Sequence, residues 1–220
     1  ILFWQRTTMT APARGGALAS GFRKVDAEMG PPANSTGITE DQLWENLTYF
    51  LEATLPVAEE TGVLMAAHPD DPPLSPIRGV PRILTSVGAF ETLFQRHPSP
   101  CHGVALCQGN FRLMTDDIPG IIQRFGRENR LFYVHFRDVR GTSEDFVETF
   151  HDDGPTDMVQ CLKTYREVGF DGLFRLDHFP LMEGDSPERR DEPIGGFLFA
   201  AGYARALYES IFAASPDELD

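Results

Sequence analysis

Short apolar runs alternate with longer stretches of helical spacing along most of this chain. From Thr39 to Gly62, apolar residues Leu43, Leu47, Phe50, Leu51, Leu55 and Val57 keep the helical interval. Thr39-Glu40-Asp41-Gln42 reads as its capping box and Gly62 as its stop. Val63–Ala67 is a short apolar strand with His68 directly after it. Ile83–Ser86 is a candidate strand and Val87–Arg96 a helix. The unit then recurs. Gly103–Leu106 is a strand ending on Cys107, followed by a helix over Ile118–Phe125. Leu131–Val134 is a strand ending on His135. A helix over Thr156–Val168 follows, with its cap expected in Asp152-Asp153-Gly154. Leu173–Leu176 is a strand ending on Asp177, and Phe197–Phe212 is a last amphipathic helix.

Near the start, Ile1–Trp4 reads as a buried strand, and Gln5 to about Gly37, rich in Gly, Ala, Pro and Thr, as a long loop. An apolar run with no initiating methionine leads to the expectation that further chain precedes Ile1. No second composition regime appears, so residues 1–220 are expected to form one domain.

Strands alternating with helices of this length predict an α/β fold with a parallel sheet. An open doubly wound sheet and a closed barrel both fit. Four successive units each place a metal-competent side chain just past a strand, and strand ends converge on one mouth in a TIM-type (β/α) barrel. Too few strands are visible for eight, so the expectation is an incomplete barrel that lacks its N-terminal strands.

Composition narrows the function. The chain has 19 Lys and Arg against 33 Asp and Glu, a net charge of −14, which argues against nucleic acid and against an anionic membrane surface. Three scattered cysteines argue against a disulfide framework and for a reducing compartment, so a cytoplasmic location is expected. No run of 18 apolar residues predicts a membrane span.

Taken singly, His68, Cys107, His135 and Asp177 each have a structural explanation: a loop histidine before proline, a buried thiol, a core histidine, a loop cap. Their recurrence at one place in successive units favours a shared metal site. Two imidazoles, a thiolate and a carboxylate disfavour Mg²⁺ and Ca²⁺ and suit Mn²⁺, Fe²⁺, Co²⁺ or Zn²⁺. A closed structural zinc site is the alternative. Spare polar groups lie close in sequence. His178 follows Asp177 and has the chemistry of a general acid or base. Arg137 and Asp138 follow His135, and Asp70 and Asp71 follow His68. Arg78 or Arg82 could pair with a substrate carboxylate. Glu148 and His151 lie in the loop beyond.

The stretches Met65–Pro73 (MAAHPDDPP), Gly79–Ile83 (GVPRI), Ala105–Phe111 (ALCQGNF), Tyr133–Val139 (YVHFRDV), Phe146–Met158 (FVETFHDDGPTDM) and Arg175–Pro180 (RLDHFP) together resemble the D-mannonate dehydratase family, metal-dependent barrels of the xylose-isomerase-like group. Trp4-Gln5-Arg6-Thr7 is similar to the family's W-x-R-T segment. The resemblance implies metal ligation by His68, Cys107, His135 and Asp177, a catalytic His178, and Mn²⁺ or Fe²⁺ as cofactor. Its implied reaction removes water from D-mannonate to give 2-keto-3-deoxy-D-gluconate, in hexuronate breakdown. Arg137 is a second catalytic candidate, and Asp70, Arg78, His151 and Tyr203 are candidate substrate contacts. Three departures stand out: Phe179 where the family has the glycine of D-H-G, Asp138 where it has asparagine, and no tyrosine in Glu183–Gly196, so that Tyr203 could stand in only from the next helix. A sugar isomerase or epimerase with the same ligands, or a non-catalytic barrel remnant, remain alternatives. Open strand edges would need covering, so a homo-oligomer such as a dimer is expected.

Overall fold

The computed structural model describes residues 7–30, 33, 37–185 and 193–212. Strands β1 (Thr7–Pro12) and β2 (Leu18–Arg23) come first, then the one-turn helix α1 (Lys24–Ala27) and the long helix α2 (Glu40–Thr61). The ends of α2 are set by local chemistry. Thr39 Oγ1 accepts from Gln42 N at 3.3 Å, and Gln42 Oε1 accepts from Thr39 N at 2.9 Å, so two orphan amides are satisfied reciprocally. Gly62 closes the helix at φ 71°, a left-handed position that glycine takes without steric cost.

Strand β3 (Met65–Ala67) leads through a proline-rich loop to helix α3 (Val87–Arg96), strand β4 (His102–Cys107), helices α4 (Gln108–Arg112) and α5 (Ile118–Arg127), and strand β5 (Leu131–Phe136). Strands β6 (Val139–Thr142) and β7 (Asp145–Glu148) form a hairpin. Helix α6 (Met158–Glu167), strand β8 (Leu173–Leu176) and helix α7 (Ile194–Phe212) complete the order. Strands β3, β4, β5 and β8 form one parallel sheet in that order, with helical crossovers between its neighbours. The register pairs Cys107 with His135, so their side chains lie on one face at the strands' C-terminal ends. This is the arrangement expected of part of a (β/α) barrel, with four parallel strands where a closed barrel has eight.

A second sheet corrects the sequence reading. The segment expected as a loop from Gln5 to Gly37 contains β1 and β2, which join the hairpin to give the antiparallel order β1-β2-β7-β6. Ala, Ser and Gly give β2 little propensity of its own. It forms because it finds β7, with Gly21 opposite Val147 and Phe22 opposite Phe146. The rings of Phe22 and Phe146 stack at 5.8 Å, and with Ile77 and Val139 they make a small core beneath this sheet. Ile83–Ser86, expected as a strand, is loop. The amides of Ile83 and Leu84 donate to Asp70 Oδ2 at 3.1 and 2.9 Å instead of to a neighbouring strand. Helix α6 starts two residues later than expected and is capped by Asp157, not by residues 152–154. Asp157 Oδ1 accepts from Gln160 N at 2.8 Å. The apolar run Ile1–Trp4 lies outside the described residues.

The main core lies between the parallel sheet and its helices. Its centre is aromatic: Phe90, Phe94, Phe111 and Phe125 meet at centroid distances of 5.2 to 6.3 Å. Among the described residues no helix is long and apolar enough to cross a membrane. Phe90 is fully buried, so Phe90→Ala is expected to cost about 3–5 kcal/mol in urea denaturation. Tyr49→Ala, at a position 78% exposed, should stay within about 0.5 kcal/mol of wild type. Equal effects would contradict this placement of the core.

Candidate metal centre

Each of the four expected ligands sits where its strand gives way to a loop. Cys107 is the last residue of β4 and fully buried. His135 is in β5 beside it. His68 follows β3, and Asp177 follows β8 and is 8% exposed. One donor atom from each of His68, Cys107 and His135 falls in a group in which all lie within 4.8 Å of one another. That spacing suits three ligands around one cation with bonds of about 2.0–2.3 Å after small rotamer changes. The His68 Nε2 to His135 Nδ1 distance is 3.2 Å. Asp177 joins the group through His135, with Oδ2 at 3.4 Å from His135 Nδ1.

The first histidine is oriented for ligation. Its Nδ1 is 2.7 Å from the Pro69 carbonyl. A carbonyl only accepts, so Nδ1 carries the proton and Nε2 presents a lone pair. Burial pushes the His68 imidazole down from its ordinary pKa, against the hydrogen bond to Pro69, which favours the neutral form a metal needs. Imidazole and thiol donors together suit a divalent transition metal better than Mg²⁺ or Ca²⁺.

His178 adopts φ 53°, a left-handed conformation uncommon outside glycine. This turn brings its Nε2 to 3.0 Å from Asp177 Oδ2. Burial alone would raise the Asp177 pKa. The hydrogen bond from His178, with the charges of His178, Arg137 and His135, outweighs it and holds this carboxylate well below the usual range.

Arg137 is 1% exposed and sits behind the site. Its Nε donates to Cys107 Sγ at 3.0 Å, Nη1 to Glu148 at 2.6 Å, and Nη2 to Asp71 at 3.2 Å and Asn110 Oδ1 at 3.1 Å. Burial alone would lower its pKa. The charges of Cys107, Glu148, Asp71 and Asp177 hold it well above the ordinary value instead. Asn110 was not legible as a site residue. The available signal was a polar pair, Gln108 and Asn110, in the first turn after the Cys107 strand, where both prove fully buried.

The other expected residues divide. Asp70 accepts from the Ile83 and Leu84 amides and holds its own loop. Arg82 Nη1 donates to the Pro72 carbonyl at 3.0 Å in the same loop. The Arg78 guanidinium lies over Gly30 so closely that a Cβ there would come within 3.0 Å of its Cζ. Tyr203 packs against the main core from α7. Asp138 accepts from Val139 N, Thr156 N and Thr156 Oγ1 at 2.7–2.8 Å and ties down the loop that carries His151. A Cβ at Gly154 would overlap the Asp138 carboxylate, so this loop needs glycine there. Arg14 pairs with Asp152 through two hydrogen bonds of 2.8 and 2.9 Å and lies over the ring of Phe150, fastening the same loop from the N-terminal side.

His151 does lie beside the site. It is 1% exposed, stacks on Phe179 at 5.8 Å and hydrogen-bonds the Phe136 backbone. Its Nε2 has no partner among the described residues. Burial lowers its pKa from 6.5 to about 4, against the Phe136 hydrogen bond and the nearby charges of Glu148 and Asp177. The folded state therefore binds this proton less readily than the unfolded state. Stability from this group is complete above pH 6.5 and falls as the pH drops toward 4, by up to about 3 kcal/mol. Denaturant titrations from pH 7 to pH 4 should show a smaller acid loss for His151→Gln than for wild type. Parallel curves would show that His151 is not buried in its neutral form.

Comparison with known proteins places the chain in a family. Residues 32–215 match the family model for D-mannonate dehydratase (UxuA). The mannonate dehydratase of Shouchella clausii is 48% identical over 145 residues, covering 64% of this chain and 40% of that protein. Mannonate dehydratase 2 of Halalkalibacterium halodurans is 41% identical over 178 residues, covering 79% of this chain and 51% of that protein. The chain thus spans about half the length of the curated relatives it matches. The crystal structure of mannonate dehydratase from Streptococcus suis serotype2 superposes with a TM-score of 0.87 at 31% identity, over 96% of this chain and 63% of that one. A xylose isomerase domain protein from Planctomyces limnophilus, at 14% identity and TM-score 0.57, covers 85% of this chain and 60% of its own and shares the fold alone. The parallel sheet is accordingly of the TIM-barrel type. With the family model matching most of its length, the chain belongs to the D-mannonate dehydratase family.

Proposed function

We propose that this site serves a metal-dependent hydro-lyase that removes water from D-mannonate to give 2-keto-3-deoxy-D-gluconate. The observation that carries the reading is the convergence of the His68, Cys107 and His135 donors within 4.8 Å, with Asp177 adjoining and His178 held at 3.0 Å from Asp177. In this reading His68, Cys107, His135 and Asp177 hold one Mn²⁺ or Fe²⁺. A cation held there would supply the positive charge that stabilises a carboxylate as the adjacent C–H proton leaves.

The chain's own residues do the rest. His178 is the acid–base group. The reaction takes a proton from the carbon next to the carboxylate and expels hydroxide from the next carbon, and the enol that forms becomes the ketone. Hydroxide is a poor leaving group, so a proton must reach it as it departs, and the imidazole of His178 is the group placed to give one. Asp177 sets the direction of that ring. His151, with its unpartnered Nε2 and its ring against Phe179, is the candidate contact for a substrate hydroxyl. Asp70, Arg78 and Tyr203, placed against a loop, Gly30 and the core, shape the surroundings.

The test is formation of 2-keto-3-deoxy acid from a panel of sugar acids by purified protein supplied with Mn²⁺ or Fe²⁺. D-Mannonate should be turned over. His178→Ala should lower kcat by at least about 100-fold with metal content unchanged, and Cys107→Ser should hold the metal more weakly while still binding it through its remaining ligands. Full activity in His178→Ala would remove the acid–base assignment. Isomerisation of a neutral sugar without dehydration would favour an isomerase instead.

A further inference from the structure

Resting on the metal reading above, we infer that Arg137 is a positioning residue that holds the Cys107 sulfur in its ligating geometry and tunes it as a donor. A substrate contact does not fit Arg137, because the side chain is 1% exposed and its guanidinium is already committed on every nitrogen. A guanidinium offers five N–H donors in a fixed plane. Here Nε serves Cys107 Sγ, while the two terminal nitrogens serve Glu148, Asp71 and Asn110 from three other segments.

The anchoring is what makes the contact to sulfur directional. Glu148 comes from β7, Asp71 from the loop after β3 and Asn110 from α4. With the far end fixed at three points, the Nε–H vector has one available direction, and it points at Sγ at 3.0 Å. Gly109 completes the seat. A Cβ at that position would lie about 3.0 Å from the guanidinium Cζ and Nη1, so glycine there lets the guanidinium approach the backbone of α4 closely. A charge-assisted N–H donor on a thiolate draws electron density from sulfur and fixes which lone pair remains for a cation. The same Nε lies 3.6 Å from Asp177 Oδ2, so one nitrogen faces two of the four proposed ligands.

Co²⁺ alone, added to the full chain, tests this, because a cobalt–sulfur bond gives a charge-transfer absorption in the near ultraviolet. Wild type should show the band and Cys107→Ser should lack it. Arg137→Gln should bind Co²⁺ about 10–100-fold more weakly with the band shifted or diminished. In a Cys107→Ser background, Arg137→Gln should add a much smaller loss, because the effect runs mainly through the sulfur. A general structural role would weaken both backgrounds alike and overturn the inference. Removal of the cation alone leaves Glu148 buried without its guanidinium. The charge-balanced pair Arg137→Gln with Glu148→Gln is therefore measured alongside, with circular dichroism to confirm the fold. Wild-type affinity and an unmoved band in either folded variant would overturn the inference while leaving the metal reading intact. A wild type with no cobalt–sulfur band would overturn the metal reading itself, and the inference with it.

Discussion

One buried cation ties the two sheets of this protein together. Arg137 leaves the end of a parallel strand and meets Glu148 from the antiparallel sheet at 2.6 Å, with both side chains almost wholly excluded from water. A charge in that position is tolerable only with its full complement of partners, and breaking such a pair typically costs about 3–5 kcal/mol. Asp71, Asn110, Cys107 and Asp177 surround the same guanidinium. Loop, helix, strand and candidate metal centre are therefore fixed with respect to one point. Displacing any one of these segments would leave at least one buried polar group without its partner, so the site is rigid for an electrostatic reason as much as a packing one.

The parallel half of the fold was legible because its signals are local. Thr39, Gln42 and Gly62 announce the ends of α2 by their own side-chain and backbone chemistry. Helix α3 begins and ends where its apolar spacing said it would, with Ser86 accepting from Ala89 N at 3.2 Å. The antiparallel half was not legible. β2 carries Ala, Ser and Gly and β1 ends on Ala-Pro, and the pairing that ties this hairpin into a sheet comes from more than a hundred residues away, through β2. Ile83–Ser86 failed in the opposite sense. Its composition suits a strand, but the Asp70 carboxylate captures the amides that a ladder would have used.

At the site the same division holds. The positions of His68, Cys107, His135 and Asp177 followed from where strands end, and a strand end is a fact of periodicity. The roles of the surrounding charges did not follow, because a charged residue after a ligand can face the ligand, its own loop or another segment. Asp70 and Arg82 turn to their own loop, and Asp138 turns to Thr156. Arg137, His178 and Arg175 turn to the candidate ligands. Sequence supplies the charge, and the fold decides its address.

The pairing of β2 with β7 has a consequence for how the molecule is made. The partners Gly21 and Val147 are far apart in the chain, and joining ends across such a span costs roughly 4 kcal/mol of loop-closure entropy. During synthesis the N-terminal hairpin emerges long before the strand that completes it, and it waits with an open edge able to pair with other chains. The parallel units, built from near neighbours, can assemble meanwhile. Glu148 itself lies in the local β6-β7 hairpin, but the antiparallel sheet is complete only once β2 has joined it. The strand that carries Glu148 is thus joined from two directions, by a hairpin partner a few residues away and by β2 from more than a hundred residues away.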